Sequence, residues 1–341
     1  MPLSRTKKPA KPAPIPLYVQ INANQPEVYW MTPAVWKAAA RRHPALAKRV
    51  KPVFAMDKAP DLAALARAEI VFSGSKVDRA VIGGTARNMK WLHVTAAGVE
   101  GLMPLNWLPK GAVVTNASGV HGPKAGEFAM MALLMLNDQM PLHIDDQKAR
   151  RWNSAFSSPI AGKTVVIVGV GAIGAECARR AKQLDLKVIG VRRGGKPVRH
   201  VDRMIKPAQL HKVLPQADFL IVVTPLTPET RGMIGARELA LLKPTAGLIN
   251  TGRGPVVDYE ALAAALRADR LAGAILDVFE PEPLPPDSPL WTTPRLLITP
   301  HVSSDDPGAY AARCCDVFFQ NLAAYLRGRP LPTQVCGELG Y

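Results

Sequence analysis

The hydrophobic positions of this chain form short apolar runs that alternate with longer stretches of helical periodicity. Such alternation predicts an α/β fold, because short Val- and Ile-rich runs are typical of strands buried in parallel sheets. In the first half the predicted strands are Leu17–Ile21, Val53–Ala55, Ile70–Phe72, Trp91–Val94 and Val113–Thr115. The predicted helices between them are Pro33–Arg42, Leu62–Ala68 and Val77–Ile82.

The same alternation continues through the second half of the chain. The predicted strands there are Val165–Val168, Lys187–Val191, Phe219–Val223, Gly247–Ile249, Gly273–Leu276 and Leu296–Ile298. The predicted helices are Pro207–Leu214, Ala236–Leu242, Tyr259–Ala268 and a final helix Ala309–Arg327. A long apolar stretch, Lys124–Met140, precedes this half, and we expect it to link the two halves.

Composition and charge exclude several classes of protein. The 341 residues are 48% hydrophobic and 21% charged, and no apolar run reaches the roughly 18 residues that span a bilayer. The net charge is +16, but the basic residues form no stripe interleaved with aromatic residues. We therefore expect neither nucleic-acid nor membrane binding. The four cysteines show no pairing or zinc pattern, as expected of reduced thiols in a cytoplasmic protein.

A glycine-rich loop follows the strand that ends at Val168. It reads Gly169-Val170-Gly171-Ala172-Ile173-Gly174 and leads directly into a helical stretch, Ala175–Leu184. In a strand–loop–helix context this spacing permits a tight turn and brings backbone N–H groups close to a pyrophosphate at the helix N-terminus. The loop therefore predicts dinucleotide binding.

Because the first half lacks such a loop, we expect it to serve the substrate. The predicted substrate domain comprises residues 17–118 and 305–341, and the predicted dinucleotide-binding domain comprises residues 119–304. Residues 1–16 are rich in proline and basic residues and are predicted to be a disordered basic tail.

Three polar side chains follow predicted strands of the second half. Arg253 follows the strand at Gly247–Ile249, Glu282 lies beyond Gly273–Leu276, and His301 follows Leu296–Ile298. Parallel strands carry functional groups at their carboxyl ends, so we expect the three side chains to converge in one crevice. An anion-binding guanidinium, a proton donor and a carboxylate partner for that donor are suited to reducing a 2-keto acid.

The motifs together resemble the D-isomer-specific 2-hydroxyacid dehydrogenase family over nearly the whole chain after residue 16. In family order they are Gly169–Gly174, Thr224–Thr230, Asn250–Gly254, Leu276–Pro283 and Pro300-His301. The resemblance implies a flavodoxin-like substrate domain, a Rossmann dinucleotide-binding domain, an active-site cleft between them and a homodimer.

The resemblance also implies roles for individual residues. Arg253 would bind the substrate carboxylate and keto oxygen, and His301 would protonate that oxygen. Glu282, chosen over Glu280 because it precedes Pro283, would fix the tautomer of His301 and favour its protonated form. Backbone N–H groups of Ala97-Gly98-Val99 would bind the substrate carboxylate. Cofactor contacts beyond the glycine loop are implied for Thr224, Pro225, Thr230, Thr251 and Asp277, the last with the nicotinamide carboxamide.

One departure bears on the choice of cofactor. NAD-specific sites place Asp or Glu after the second strand to bind the ribose hydroxyls. Here Arg192 and Arg193 stand at the end of Lys187–Val191, and guanidinium groups suit a 2′-phosphate. The sequence therefore predicts NADP(H) as the preferred cofactor, with NAD(H) also possible; the arginines could instead stack on adenine or face solvent.

The most specific hypothesis is reduction of glyoxylate or hydroxypyruvate with NADPH. Two alternatives stay open at this point. One is oxidation of another small anion, such as phosphite, at the same site. The other is a nucleotide-sensing protein without catalysis, resembling a transcriptional corepressor, although such a sensor needs no proton donor.

Overall fold

The computed structural model describes residues 13–74 and 76–337. The chain divides into two compact units, of which the first comprises residues 13–120 and 307–337 and the second residues 121–306. Most of the tail predicted over residues 1–16 lies outside the described residues, and the first strand begins at Ile15. No helix in the described ranges combines the length and the apolar character that a membrane crossing requires.

The first unit is built on a five-stranded parallel sheet in the order β2-β1-β3-β4-β5. This is the flavodoxin-like strand order, as predicted. The strands are β1 (Ile15–Ile21), β2 (Val50–Met56), β3 (Ile70–Ser73), β4 (Trp91–Val94) and β5 (Val113–Thr115). The helices are α1 (Pro33–Arg42), α2 (Pro44–Ala47), α3 (Leu62–Arg67), α4 (Arg79–Thr85) and α10 (Tyr310–Tyr325), with 3-10 turns at Glu27–Tyr29, Glu100–Leu102 and Leu105–Trp107.

The second unit contains a seven-stranded parallel sheet in the order β12-β11-β10-β9-β6-β7-β8. It is a Rossmann arrangement whose order reverses between β6 and β9, where ligands bind in such sheets. The strands are β6 (Thr164–Val168), β7 (Lys187–Val191), β8 (Arg203–Ile205), β9 (Phe219–Val222), β10 (Gly247–Asn250), β11 (Gly273–Leu276) and β12 (Leu296–Ile298). The helices are α5 (Gly122–Asn137), α6 (Met140–Lys148), α7 (Ala172–Gln183), α8 (Ala236–Ala240) and α9 (Tyr259–Arg267). Four 3-10 helices complete the unit, at Pro207–Lys212, Leu214–Gln216, Gly254–Val256 and Pro289–Thr292.

Two elements of the second unit differ from the pattern-based expectation. The edge strand β8 has no apolar run to reveal it, because Arg203 faces solvent and only Ile205 is buried. The helix predicted over Pro207–Leu214 consists of 3-10 turns, and the apolar stretch Lys124–Met140 is divided between α5 and α6 at Gln139, whose φ is 52°. Short edge strands and helix breaks are set by tertiary contacts that local periodicity does not record.

The core of the first unit is organised by aromatic rings from the carboxyl-terminal helix. Phe318 of α10 stacks on Phe72 and on Trp91, each with a centroid distance of 5.0 Å. His93 of β4 lies beside them, fully buried, and its Nδ1 is 2.6 Å from the hydroxyl of Thr115. Burial lowers the pKa of His93 to about 3, against a weaker opposing effect of the Cys314 backbone. The imidazole is therefore neutral in the folded protein.

The neutral state of His93 predicts a pH dependence of stability. Between its unfolded value of 6.5 and its folded value of about 3, only the unfolded chain binds this proton, so the free energy of unfolding falls as pH falls. Between pH 7 and pH 5 this group lowers the free energy of unfolding by about 2 kcal/mol. We expect urea denaturation at pH 7 and pH 5 to show a smaller pH effect for His93→Gln than for the wild type. Equal losses in both proteins would contradict this role for His93.

Candidate active site

The loop between β6 and α7 is shaped by two glycines that admit no side chain. Gly169 has a φ of +101°, in the left-handed region, and a Cβ there would lie 2.8 Å from the backbone of Thr224. A Cβ on Gly174 would lie 2.1 Å from the carbonyl oxygen of Gly169. Helix α7 can therefore start close to the strand, while the space around Gly171 is open. The first turn of α7, from Ala172 and Ile173 to Gly174, presents its N–H groups at this opening.

Thr224, two residues beyond the end of β9, forms the centre of the dinucleotide cradle. Gly169 packs against it from β6, and Gly252 packs against it from β10, where a Cβ would lie 2.8 Å from the Thr224 carbonyl oxygen. The Thr224 hydroxyl is buried and has no hydrogen-bond partner among the described residues. A buried hydroxyl without a partner is costly, and a bound polar group would satisfy it. The cradle, the open helix N-terminus and this hydroxyl fit a dinucleotide.

The loop that carries Arg253 is fixed by buried polar groups. The amide of Asn250, which is fully buried, donates to the carbonyl oxygen of Arg253 at 3.1 Å and contacts the hydroxyl of Tyr259 at 2.9 Å. Tyr259 in turn donates to the carbonyl oxygen of Val278 at 2.7 Å, and burial raises its pKa. These bonds tie the end of β10 to the segment after β11, so Arg253 is held at a defined distance from that segment.

Close backbone packing brings the same two segments together. A Cβ on Gly254 would lie 2.7 Å from the backbone of Phe279, so a side chain at Gly254 would push the segments apart. Glu282 folds back over this contact, and its Oε1 accepts from the N–H of Phe279 at 2.7 Å. The carboxylate is therefore anchored by the backbone of its own loop.

Glu282 and His301 form a direct hydrogen-bonded pair. The Oε2 of Glu282 lies 2.7 Å from Nδ1 of His301. Because an ionised carboxylate only accepts, Nδ1 carries a proton and Nε2 is the ring nitrogen left for chemistry. The His301 side chain is 46% exposed, so Nε2 can be reached from solvent. Glu280 instead pairs with Arg231 at 3.0 Å.

Asp277 holds the segment on which His301 stands. Its carboxylate is fully buried and accepts from the hydroxyl of Thr299 at 2.6 Å and from the N–H groups of Val302 and Ser303 at 2.9 and 3.1 Å. His301 itself has a φ of 54°, in the left-handed region. Such a conformation costs free energy in a residue with a side chain, and the bonds to Asp277 on both sides of His301 stabilise it.

A second histidine lies in the neighbourhood of His301. The Nδ1 of His121, at the start of α5, is 3.1 Å from the carbonyl oxygen of Ser304 and therefore donates to it. Burial lowers the pKa of His121 most, and the positive charges of His301 and Arg253 lower it further, against the opposing effects of Ser304 and Asp305. This neutral imidazole adds no charge to the surroundings of Arg253 and His301.

The remaining predicted cofactor residues lie along the same edge of the sheet. Thr251 follows β10, and its N–H donates to Val222 of β9 at 3.1 Å. The hydroxyl of Thr230 closes the loop after β9 by donating to the carbonyl oxygen of Pro225 at 2.7 Å. The two predicted phosphate ligands follow β7: Arg192 is exposed, and Arg193 lies 3.9 Å from the carboxylate of Glu229.

The predicted carboxylate-binding loop belongs to the other unit. Ala97-Gly98-Val99 follows β4, and the amide of Asn116 fixes the loop by donating to the carbonyl oxygen of Ala97 at 2.6 Å. Within the described part of the chain no protein acceptor takes the N–H groups of Gly98 and Val99. These N–H groups are thus available to an anion, and the role of the loop stays a prediction.

Sequence reasoning missed the residues that hold the reactive ones. Asn250 begins the Asn250–Gly254 motif but was given no role of its own. Tyr259, Thr299 and His121 were assigned no role either, because their roles follow from contacts between distant segments. Of these residues only Asn250 could have been recognised from the sequence, because a buried amide at the end of an apolar strand must find hydrogen-bond partners. Among the described residues no cluster of His, Cys, Asp or Glu is arranged to hold a metal ion.

Comparison with known proteins identifies the family. The model of the D-isomer specific 2-hydroxyacid dehydrogenase NAD-binding domain matches residues 130–303. A protein named glyoxylate reductase from Korarchaeum cryptofilum is 35% identical over 72% of this chain and 75% of its own length. Another from Thermofilum pendens is 33% identical over 77% of this chain and 79% of its own length.

Solved structures agree with this assignment. A D-isomer specific 2-hydroxyacid dehydrogenase from Xanthobacter autotrophicus, in complex with NADPH and MES, is 28% identical with a TM-score of 0.81, covering 96% of this chain and 100% of that one. An NADPH-dependent glyoxylate/hydroxypyruvate reductase from Sinorhizobium meliloti, with NADP and sulfate, is 26% identical with a TM-score of 0.78, covering 95% and 99%. The chain belongs to the D-isomer-specific 2-hydroxyacid dehydrogenase family and is an NAD(P)-dependent oxidoreductase.

Proposed function

We propose that this enzyme reduces a small 2-keto acid, glyoxylate or hydroxypyruvate, to the 2-hydroxy acid with NADPH. The observation that carries the proposal is the 2.7 Å bond between Glu282 and Nδ1 of His301, in the unit that also holds Arg253 and the dinucleotide cradle. Relatives named glyoxylate reductase and glyoxylate/hydroxypyruvate reductase support the substrate class. Because these relatives are named as reductases, they favour catalysis over the nucleotide-sensing alternative.

His301 is the proton donor in this proposal. With Nδ1 bound to Glu282, the imidazolium presents its second proton at Nε2. The keto oxygen takes that proton as a hydride adds to the carbonyl carbon, which gives the 2-hydroxyl group and leaves His301 neutral. The negative charge of Glu282 stabilises the imidazolium before transfer and holds the ring orientation afterwards. In the reverse direction neutral Nε2 accepts the hydroxyl proton.

Arg253 supplies the anion site. Its guanidinium is permanently charged and planar, so it can bind the carboxylate of a 2-keto acid and polarise the adjacent carbonyl. The N–H groups of the Ala97-Gly98-Val99 loop are proposed to bind the same carboxylate. The Asn250 and Tyr259 bonds give the Arg253 loop the rigidity that orientation of a small substrate demands.

The cofactor assignments follow the same edge of the sheet. A bound nicotinamide supplies the hydride. The N-terminus of α7 is proposed to bind the pyrophosphate, the free hydroxyl of Thr224 to bind a polar group of the dinucleotide, and Arg192 to bind the 2′-phosphate. Asp277, whose carboxylate already accepts three hydrogen bonds, is proposed to accept a further one from the nicotinamide carboxamide.

We also propose that the enzyme is a homodimer. Trp152 and Phe156, between α6 and β6, are 99% and 90% exposed, and Met131 and Leu134 of α5 also face solvent. Four large apolar side chains exposed in the same unit favour a protein interface, and we expect a second copy of this chain to cover them. Light scattering is predicted to give twice the chain mass of 36.8 kDa, and Trp152→Ser should shift the mass toward one chain. A wild-type mass of one chain would exclude the dimer.

The function is tested by following NADPH and NADH oxidation with glyoxylate, hydroxypyruvate, pyruvate and phenylpyruvate. We expect turnover with glyoxylate or hydroxypyruvate, and a kcat/KM at least about tenfold higher with NADPH than with NADH, which is the effect of one added ionic contact. His301→Asn tolerates the left-handed backbone at this position but lacks the proton donor. It should lose about a hundredfold or more in kcat and still bind NADPH. Undiminished turnover of this variant would remove His301 from the chemistry.

A further inference from the structure

We propose that Lys206 is an additional cation of the 2′-phosphate subsite, beside Arg192 and Arg193. The inference deepens the proposed preference for NADPH and rests on it. It starts from β8, the edge strand that the sequence pattern does not reveal, because β8 brings a distant part of the chain next to the two arginines.

The sheet register places Lys206 next to Arg192. Strands β7 and β8 run parallel with Val191 opposite Ile205, and the N–H of Arg192 donates to the carbonyl oxygen of Ile205 at 3.0 Å. Arg192 and Lys206 are thus the first residues beyond two paired strands, at a spacing of about 5 Å between neighbouring strands. Both emerge at the carboxyl edge of the sheet, where the glycine loop also opens.

The side chain of Lys206 runs along the turn that carries the arginines. This turn is closed by the N–H of Gly195, which donates to the carbonyl oxygen of Arg192 at 3.1 Å. Gly195 has a φ of +60°, and a Cβ built on it would lie 3.4 Å from Cγ and 3.5 Å from Cε of Lys206. The aliphatic part of Lys206 therefore covers the glycine, and its ammonium group lies near the end of the turn.

The charges around Lys206 favour an anion. Lys206 is exposed, and within the described ranges no carboxylate forms an ion pair with it. By contrast, Lys182 and Lys243 of the same unit are paired with Asp202 and Asp218. The carboxylate of Glu229 lies 3.9 Å from Arg193 and accepts from the hydroxyl of Thr227. Two guanidinium groups and one ammonium group thus stand around one turn.

This set of cations matches a phosphate monoester better than a ribose hydroxyl. A phosphate carries a charge of about −1.5 to −2 near neutral pH and offers three acceptor oxygens. Guanidinium groups bind such oxygens in pairs, and a lysine adds a compact point charge. Because all three side chains reach solvent, screening keeps the contribution of each one modest. Loss of Lys206 should therefore weaken phosphate binding several-fold and leave the arginines in place.

The test measures dissociation constants of NADPH, NADH and adenosine 2′,5′-bisphosphate for the intact enzyme by calorimetry. We expect Lys206→Met to weaken NADPH and the bisphosphate about fivefold and NADH less than twofold, with the effect shrinking at high salt. Lys206→Arg keeps the charge and should restore most of the affinity. The matched control is Lys187→Met, because Lys187 is exposed at the amino end of β7, the opposite edge of the sheet.

The outcomes separate this inference from the proposed cofactor preference. If wild-type enzyme binds NADPH no better than NADH, the 2′-phosphate subsite itself is wrong, and Lys206 falls with it. If Arg192→Ala weakens NADPH selectively while Lys206→Met behaves like Lys187→Met, the cofactor preference stands and the role of Lys206 is refuted. Equal weakening of NADPH and NADH by Lys206→Met would also refute it.

Discussion

The buried carboxylate of Asp277 is the constraint on which the reactive end of the site depends. An ionised group without exposure to solvent is stable only when hydrogen bonds replace its water, and Asp277 obtains these bonds from Thr299, Val302 and Ser303. Those three residues flank His301, so the requirement to satisfy Asp277 also fixes the imidazole. Glu282, anchored to the N–H of Phe279, then meets Nδ1 of an already positioned ring. The two carboxylates thus have separate roles: Asp277 fixes the segment that carries the histidine, and Glu282 binds Nδ1 of its ring.

Close backbone approach supplies the other half of the architecture. Gly169, Gly252 and Gly254 each stand where a Cβ would collide with backbone of a neighbouring segment. Because these three positions carry no side chain, the ends of β6, β9 and β10 pack closely around Thr224, and the segment after β11 packs closely against the end of β10. The glycines of the sequence motifs are thus explained by packing as much as by the ligand, because a side chain at any of them would separate the groups that must act together.

The sequence allowed the two sheets, the glycine loop and the three reactive residues to be predicted. The strands are marked by apolar runs, and the loop and the reactive residues by distinctive polar or glycine-rich motifs that follow such runs. The supporting residues were not predictable in this way. Asn250 and Tyr259 act through contacts across the sheet edge, and β8 is an exposed edge strand whose pairing depends on β7. Lys206 illustrates the consequence, because it is one lysine among many until the register sets it beside Arg192. Periodicity records burial, whereas these roles depend on which segments become neighbours.

The Glu282–His301 pair is tested most directly by kcat for keto-acid reduction in the wild type and in Glu282→Gln, at neutral pH and saturating NADPH. Glutamine fills the same space but carries no negative charge to stabilise the imidazolium that donates the proton. The variant is therefore expected to lose at least about tenfold in kcat, with unchanged NADPH affinity. Equal kcat values in the two proteins would contradict the pair as the proton-donating unit.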